Sequence, residues 1–342
     1  MFKSLSKFSL ANLQTRFQEQ SVLKQRAILG MFWSVATYGL GTGLRVGSSL
    51  IMTRLLVPEI FGLMSLVNIV IMGLHLFSDV GSAPTVIRSD RGDDPELLNN
   101  VWTIQVIRGV VLWIGCLILA VPAAHIYAEP QLYWLLPIVG LICISSGFSS
   151  TAVFTLVRHM EQGKRSMFDL QNQIISTGLI ITIVWFNRNI WGLVIAYLLG
   201  DVIQMIRSHL LIPNYRNRFA LNWPLVKEMS TFGRWIVLST MLTFLAGQVD
   251  RLLVGKMLSW HFLGIYAVVM TISEMPRSII ERVADQVIFP AAFQLIELPR
   301  VELRQKLLQN RRPVLMAMAL GLSLLIGIGD VLVTVMYDHR YT

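Results

Sequence analysis

The chain has 342 residues, 54% of them hydrophobic and only 14% charged, with a formal net charge of +9. Soluble domains carry about 25% charged residues, so this composition excludes an ordinary soluble enzyme, a disordered tail, a collagen and a disulfide scaffold. The two cysteines, Cys116 and Cys143, lie in apolar runs and suggest neither a redox centre nor a metal site.

The first 26 residues are polar and basic. They are no secretory signal, because the apolar run behind them is too long for a signal core. Leu5, Phe8, Leu13 and Phe17 either share one face of a helix lying on the membrane or belong to a frayed tail. From there the chain offers nine runs approaching the length of about 20 apolar residues that a spanning helix needs. They are Ala27 to Met52, Phe61 to Phe77, Val101 to Ala123, Gln131 to Val157, the short Ile174 to Phe186, Ile190 to Ile212, Gly233 to Leu253, Leu258 to Ile279 and Val314 to Met336. The expected fold is all-α: a polytopic membrane helical bundle of about nine transmembrane helices. Between the eighth and ninth runs, Glu297 to Arg312 mixes arginines with leucines. It reads as an amphipathic helix on an anionic leaflet, or else as a solvated linker.

Lys and Arg counts set the orientation. With the N-terminus cytoplasmic, 22 of the 29 fall on the inner side and five on the outer, with Arg45 and Arg108 inside spans. The positive charge thus reflects topology, and nucleic acid is not an expected partner.

The chain also repeats itself. Arg54-Leu-Leu-Val-Pro-Glu-Ile-Phe-Gly62 aligns with Lys256-Met-Leu-Ser-Trp-His-Phe-Leu-Gly264, and at the same offset Asp79 meets Glu281. Parallel repeats are a habit of transporters. The reading divides the chain into a basic segment 1–26, a six-helix lobe 27–230 and a lobe 231–342 with three helices. The second lobe is incomplete beside the first, by about three helices on the repeat reading.

Five stretches carry a resemblance: Thr53-Arg-Leu-Leu-Val-Pro-Glu-Ile-Phe-Gly62, Phe77-Ser-Asp-Val-Gly81 with Val86-Ile-Arg88, Val249-Asp-Arg-Leu-Leu-Val-Gly255, Leu263-Gly-Ile-Tyr-Ala267 and Val287-Ile-Phe-Pro-Ala291. In this order, and over about Phe32 to Tyr341, the chain resembles the Wzx-type polysaccharide and lipid-linked oligosaccharide flippases of the MOP superfamily. The resemblance implies a transporter and no enzyme. It implies a two-lobed MOP-type bundle in the bacterial inner membrane, rocking between inward-open and outward-open states. Its substrate would be an undecaprenyl-pyrophosphate-linked oligosaccharide, with membrane lipids around it and a proton or sodium as a possible coupling ion. Family members usually have 12 to 14 spans, so this chain departs by stopping at nine.

Charges inside a membrane are costly, which makes them functional candidates. Arg45 lies on the first span beside Gly39, Gly43 and Gly47, whose spacing suits close approach of another helix. Arg45 points away from that face, either into a cavity towards pyrophosphate or onto a partner such as Asp201 or Asp250. Arg108 either faces the cavity or snorkels to headgroups. Asp201 either pairs with an arginine or carries a coupling ion. Asp250 and Arg251 are adjacent, so they point in different directions and meet different groups. Asp79 and Glu281 sit at inner span ends, as gate or cap residues.

No P-loop, Gly-x-Gly-x-x-Gly, His-x-x-x-His or Gly-x-Ser-x-Gly occurs, so no cofactor and no metal are expected. Two other readings remain: a drug/cation antiporter of the same superfamily, and a membrane-embedded glycan polymerase or acyltransferase. A polymerase needs a large outer loop, and the predicted outer loops are all short.

Overall fold

The structure, a computed structural model, describes residues 36–78, 81–159, 161–213 and 215–283, with scattered positions between 302 and 329. Helix α1 occupies 36–55 of these. It is followed by α2 (Pro58–Phe77), α3 (Ser82–Arg88), α4 (Pro95–Tyr127), α5 (Leu132–Gly147), α6 (Ala152–Arg158), α7 (Gln162–Phe186), α8 (Ile190–Ser208), α9 (Trp223–Met257) and α10 (Trp260–Val283). No strand occurs among the described residues. The predicted segment 1–26, Asp79, the Val287–Ala291 motif and most of 297–312 and 314–336 lie outside them. So does the side chain of Glu281, whose backbone belongs to α10.

Local chemistry sets the helix starts. Pro58 and Pro95 stand in the first turns of α2 and α4, where a missing N–H breaks no bond. The Asp94 carboxylate caps α4 by accepting from the Glu96 N–H at 3.0 Å, and the Asn189 side chain caps α8 through Gly192 at 2.9 Å. Helix α4 runs on to Tyr127 and stops at Ala128 in the left-handed region, φ 52°. Its 33 residues reach about 50 Å, well beyond a hydrocarbon core.

Four helices, α2, α4, α7 and α8, are each long and apolar enough to cross a membrane. Helices α5 and α6 qualify as a pair bent by 56°, making five among the described residues. The fourth predicted span is therefore broken. At the break the Phe148 carbonyl accepts from Trp102 Nε1 (3.2 Å) and His209 Nε2 (2.8 Å), so the interrupted ladder leaves that acceptor satisfied. Helices α9 and α10 occupy the seventh and eighth predicted spans. In α10 the apolar stretch is the short Trp260–Thr271. The outer surface is greasy, as lipid requires: Ile118, Trp134 and Phe186 are 67%, 68% and 85% exposed.

One large core joins α2, α4, α5 and α8, with Leu66, Val67, Cys116, Leu135, Val139, Cys143 and Val194 all nearly or fully buried. Both cysteines are free. Helices α4 and α5 touch backbone to backbone, since a Cβ on Gly109 would meet the Cys143 carbonyl at 2.5 Å.

The 202-residue offset reappears in the helices. Helix α1 ends at residue 55 and α9 at Met257; α2 starts at Pro58 and α10 at Trp260. These last two helices pack closely. A Cβ on Gly62 would strike the Trp260 carbonyl, and one on Gly264 would strike the Pro58 carbonyl. Glu59 and His261, themselves 202 apart, pair at 3.0 Å. Tyr127 and Lys256 add hydrogen bonds to the carbonyls of Leu252 and Ile126 at the same end.

By contrast, no described atom lies within 4 Å of a Cβ built on Gly39, Gly43 or Gly47. The close approach expected of that stripe occurs instead at Gly62 and Gly264.

Candidate functional site

Beyond the joint between α2 and α10 lies a cavity of about 720 Å³, walled by α1, α2, α7, α8, α9 and α10. Its lining is unusually polar for the interior of an apolar bundle. Ser48 and Ser49 come from α1, Ser65 and Asn68 from α2, and Asn172 and Gln173 from α7. Polar side chains among spanning helices are stable where they border a water-filled space.

Two of the predicted site residues share this wall, Arg45 from α1 and Arg251 from α9. Arg45 is exposed to the cavity. Its Nη2 donates to Thr42 Oγ1 at 3.2 Å, and its guanidinium sits 5.8 Å from the Tyr38 ring centre. Neither Asp201 nor Asp250 reaches it; among the described residues no carboxylate pairs with it. Arg251 is only 16% exposed and donates from Nη2 to Glu274 Oε1 at 3.0 Å, while its Nε is buried without a partner. Of the two lining carboxylates, Glu274 is thus taken by Arg251, and Asp169 pairs with Arg165 at 3.2 Å. Among the described residues lining the cavity, Arg45 is the cation with no carboxylate on it.

The other predicted residues lie elsewhere. Arg108 Nε donates to Ser78 Oγ (2.9 Å) and its Nη2 to the His75 carbonyl (2.6 Å). It therefore ties α4 to the end of α2, and it is not among the residues that line the cavity. Asp201 accepts from Ser145 of α5 rather than from an arginine. Asp250 accepts from the Tyr266 hydroxyl at 2.5 Å and leaves Oδ1 buried and unpaired. Asp250 and Arg251 do meet different groups, as their adjacency on a helix requires.

The sequence reading missed the α7 wall. It began the fifth span at Ile174, whereas α7 begins at Gln162. Asp169, Asn172 and Gln173 therefore stand on a helix that hydropathy places in a loop. Their signal was periodicity: Asp169, Gln173 and Ser176 fall three to four residues apart, on one helix face. Gln173 also fixes α7 to α1, donating from Nε2 to the Gly41 carbonyl at 2.8 Å. Among the described residues no group of three His, Cys, Asp or Glu side chains is placed to hold a metal.

Comparison with known proteins places this architecture. A family model described as "Polysaccharide biosynthesis protein" matches residues 51–342. The succinoglycan biosynthesis transport protein ExoT of Rhizobium meliloti is 20% identical over 264 residues, covering 77% of this chain and 53% of that protein. The lipopolysaccharide biosynthesis protein WzxC of Escherichia coli is 20% identical over 274 residues, 79% of this chain and 55% of that protein. The teichuronic acid biosynthesis protein TuaB of Bacillus subtilis is 20% identical over 268 residues, 77% and 54%. The chain spans about half the length of these curated relatives. No solved structure matches it. With its family match running over most of the chain and its apolar spanning helices, the chain belongs to the polysaccharide biosynthesis protein family as a multi-pass membrane protein.

Proposed function

We propose that this protein carries a lipid-linked oligosaccharide across the bacterial inner membrane for surface polysaccharide assembly, and that it is a transporter rather than an enzyme. One observation carries the reading: a polar cavity inside an apolar bundle presents Arg45 with no carboxylate on it. A planar guanidinium there suits the oxygens of a pyrophosphate. The neighbouring serines and amides suit sugar hydroxyls. Transporter sites of this kind sit at the interface of internal repeats, and the cavity lies between α1 and α2 on one side and their offset counterparts α9 and α10 on the other.

Alternating access follows from the joint. In this reading the contacts of Gly62, Gly264, Glu59 and His261 close one end of the cavity, and transport requires them to part in the opposite state. The excess of Lys and Arg in alternate loops supports a cytoplasmic N-terminus, which makes the sealed end the outer one.

The test is complementation of a strain lacking the gene, scored for surface glycan, beside a vesicle assay for translocation of a pyrophosphate-linked sugar. Arg45→Ala and Arg251→Ala are expected to abolish both while the protein still inserts. Full glycan export by Arg45→Ala would overturn the anion-binding assignment. Drug resistance conferred without glycan export would overturn the substrate.

A further inference from the structure

A second cavity, of about 540 Å³, opens where α7 begins and α8 ends, at one end of the bundle. Its lining divides by chemistry. Lys164 and Arg207 supply cations; Met167, Phe168, Leu210 and Leu211 supply apolar surface, and no carboxylate is among the described residues that line it.

Arg207 is held in place without being neutralised. Its Nη1 donates to Asn172 Oδ1 and its Nη2 to Gln171 Oε1 (2.5 Å), both neutral amides. Its guanidinium carbon lies 5.5 Å from the centre of the Phe168 ring. Among the described residues it pairs with no carboxylate. Lys164 is 70% exposed and pairs with Glu161 at 2.8 Å, an exposed contact that is weak and easily exchanged. Beside these cations Leu210 is 75% exposed and Met167 38% exposed. A positioned, uncompensated guanidinium next to bare hydrocarbon calls for an anion that brings its own apolar chains. Basic pockets between spanning helices take lipid headgroups in this way.

We infer that this cavity binds the headgroup phosphate of an anionic phospholipid. Lys164 and Arg207 contact the phosphate, and Met167, Leu210 and Leu211 border the acyl chains. The site also touches the central cavity. Asn172, which accepts from Arg207, lines that cavity, and its Nδ2 is buried without a partner. A lipid on Arg207 is therefore one hydrogen bond from the central wall.

The test is native mass spectrometry of the purified protein with phosphatidylglycerol and phosphatidylcholine as probes. The intact chain is expected to retain phosphatidylglycerol in preference. Lys164→Gln, a change at an exposed side chain, should lower that retention about fivefold, the effect of one cation near an anionic lipid. Arg216→Gln, an exposed cation outside the cavity, should leave it unchanged. Inorganic phosphate at millimolar concentration should not displace the lipid. Equal retention of the two lipids, unchanged retention in Lys164→Gln, or an equal loss in Arg216→Gln would each overturn the site. Displacement by inorganic phosphate would assign the cavity to a free anion and overturn the lipid.

Discussion

Replacing Gly264 with alanine tests the joint most directly. A Cβ there lies 2.5 Å from the Pro58 carbonyl carbon and closer still to its oxygen. Carbon contacts are comfortable at about 3.5 Å, so the helices must separate by more than about 1 Å, with the nearer oxygen setting the distance. The obstacle is backbone, and no rotamer change relieves it. Overpacking of this kind costs about 1–3 kcal/mol, a shift of roughly 5- to 150-fold between two states that differ at this contact. If the joint parts during transport, Gly264→Ala favours the parted state. The assay is a short thiol cross-linker between cysteines at 59 and 261, whose native side chains pair at 3.0 Å, with thermal stability in detergent as a second readout. Cross-linking should fall at least several-fold. The control is Gly43→Ala, where no described atom lies within 4 Å of the new methyl; there the gain in helix propensity makes the change neutral or slightly stabilising. Gly264→Ala behaving like Gly43→Ala in both readouts would refute the packing argument. A normal cross-link yield with lowered stability would instead refute only the claim that the joint opens.

Four further outcomes follow from other contacts. Arg108→Met removes donors to Ser78 and the His75 carbonyl and should destabilise the protein by about 1–3 kcal/mol, read as a lower melting temperature with the cavity residues untouched. Glu274→Gln leaves Arg251 without its carboxylate; a second free cation in the cavity should tighten binding of a soluble pyrophosphate, and weaker binding would count against the anion reading. Arg158→Met removes donors to the carbonyls of Val86, Ile87 and Ser89 and to Asp93, and protease accessibility of the 89–94 loop should rise. Asp93 itself sets a pH window. Burial pushes its carboxyl up, but hydrogen bonds from Arg158 and His159 outweigh this and hold it below 3.8. A depressed carboxyl stabilises the fold above its ordinary value, and that contribution disappears only as pH falls through the lowered one. Asp93→Asn should therefore flatten the stability profile below pH 4, and a profile identical to that of the parent chain would contradict the assignment.

Hydropathy located the helices that face lipid and misjudged those that face water. The α2 span was read as Phe61 to Phe77 against Pro58–Phe77 in the structure, because apolar residues fill that helix nearly end to end. Helix α7 was read 12 residues short because its first turns carry Lys164, Arg165 and Asp169, which a hydropathy window treats as loop. Those turns build one wall of the cavity, so the functional part of the helix was the part a search for apolar runs discards. Arg45 and Arg251 were legible because a charge in a span is costly enough to demand a reason. The roles of Arg108 and Asp201 were not, since Ser78 and Ser145, which hydrogen-bond to them, lie 30 and 56 residues away in the chain. The break at Phe148 was hidden for the same reason: it is held by Trp102 and His209, 46 and 61 residues distant.

The repeat explains why scaffold and chemistry separate so cleanly. Two-fold related elements must make reciprocal contacts: if position i touches j + 202, then j touches i + 202. Gly62 against Trp260 and Pro58 against Gly264 satisfy that relation, and Glu59 against His261 is the contact expected on the axis itself. Small residues at the reciprocal positions keep the joint close in both copies. The two cations of the cavity do not repeat. The counterpart of Arg45 is Gly247, and that of Arg251 is Ser49, which lines the same cavity. A symmetric joint fits the proposed transport cycle, in which the paired elements part and close about a common axis. A cation without a symmetric counterpart, as Arg45 is, suits the proposed role of holding one end of an unsymmetrical ligand. The two demands fall on different positions of the same helices, so one could diverge while the other was retained.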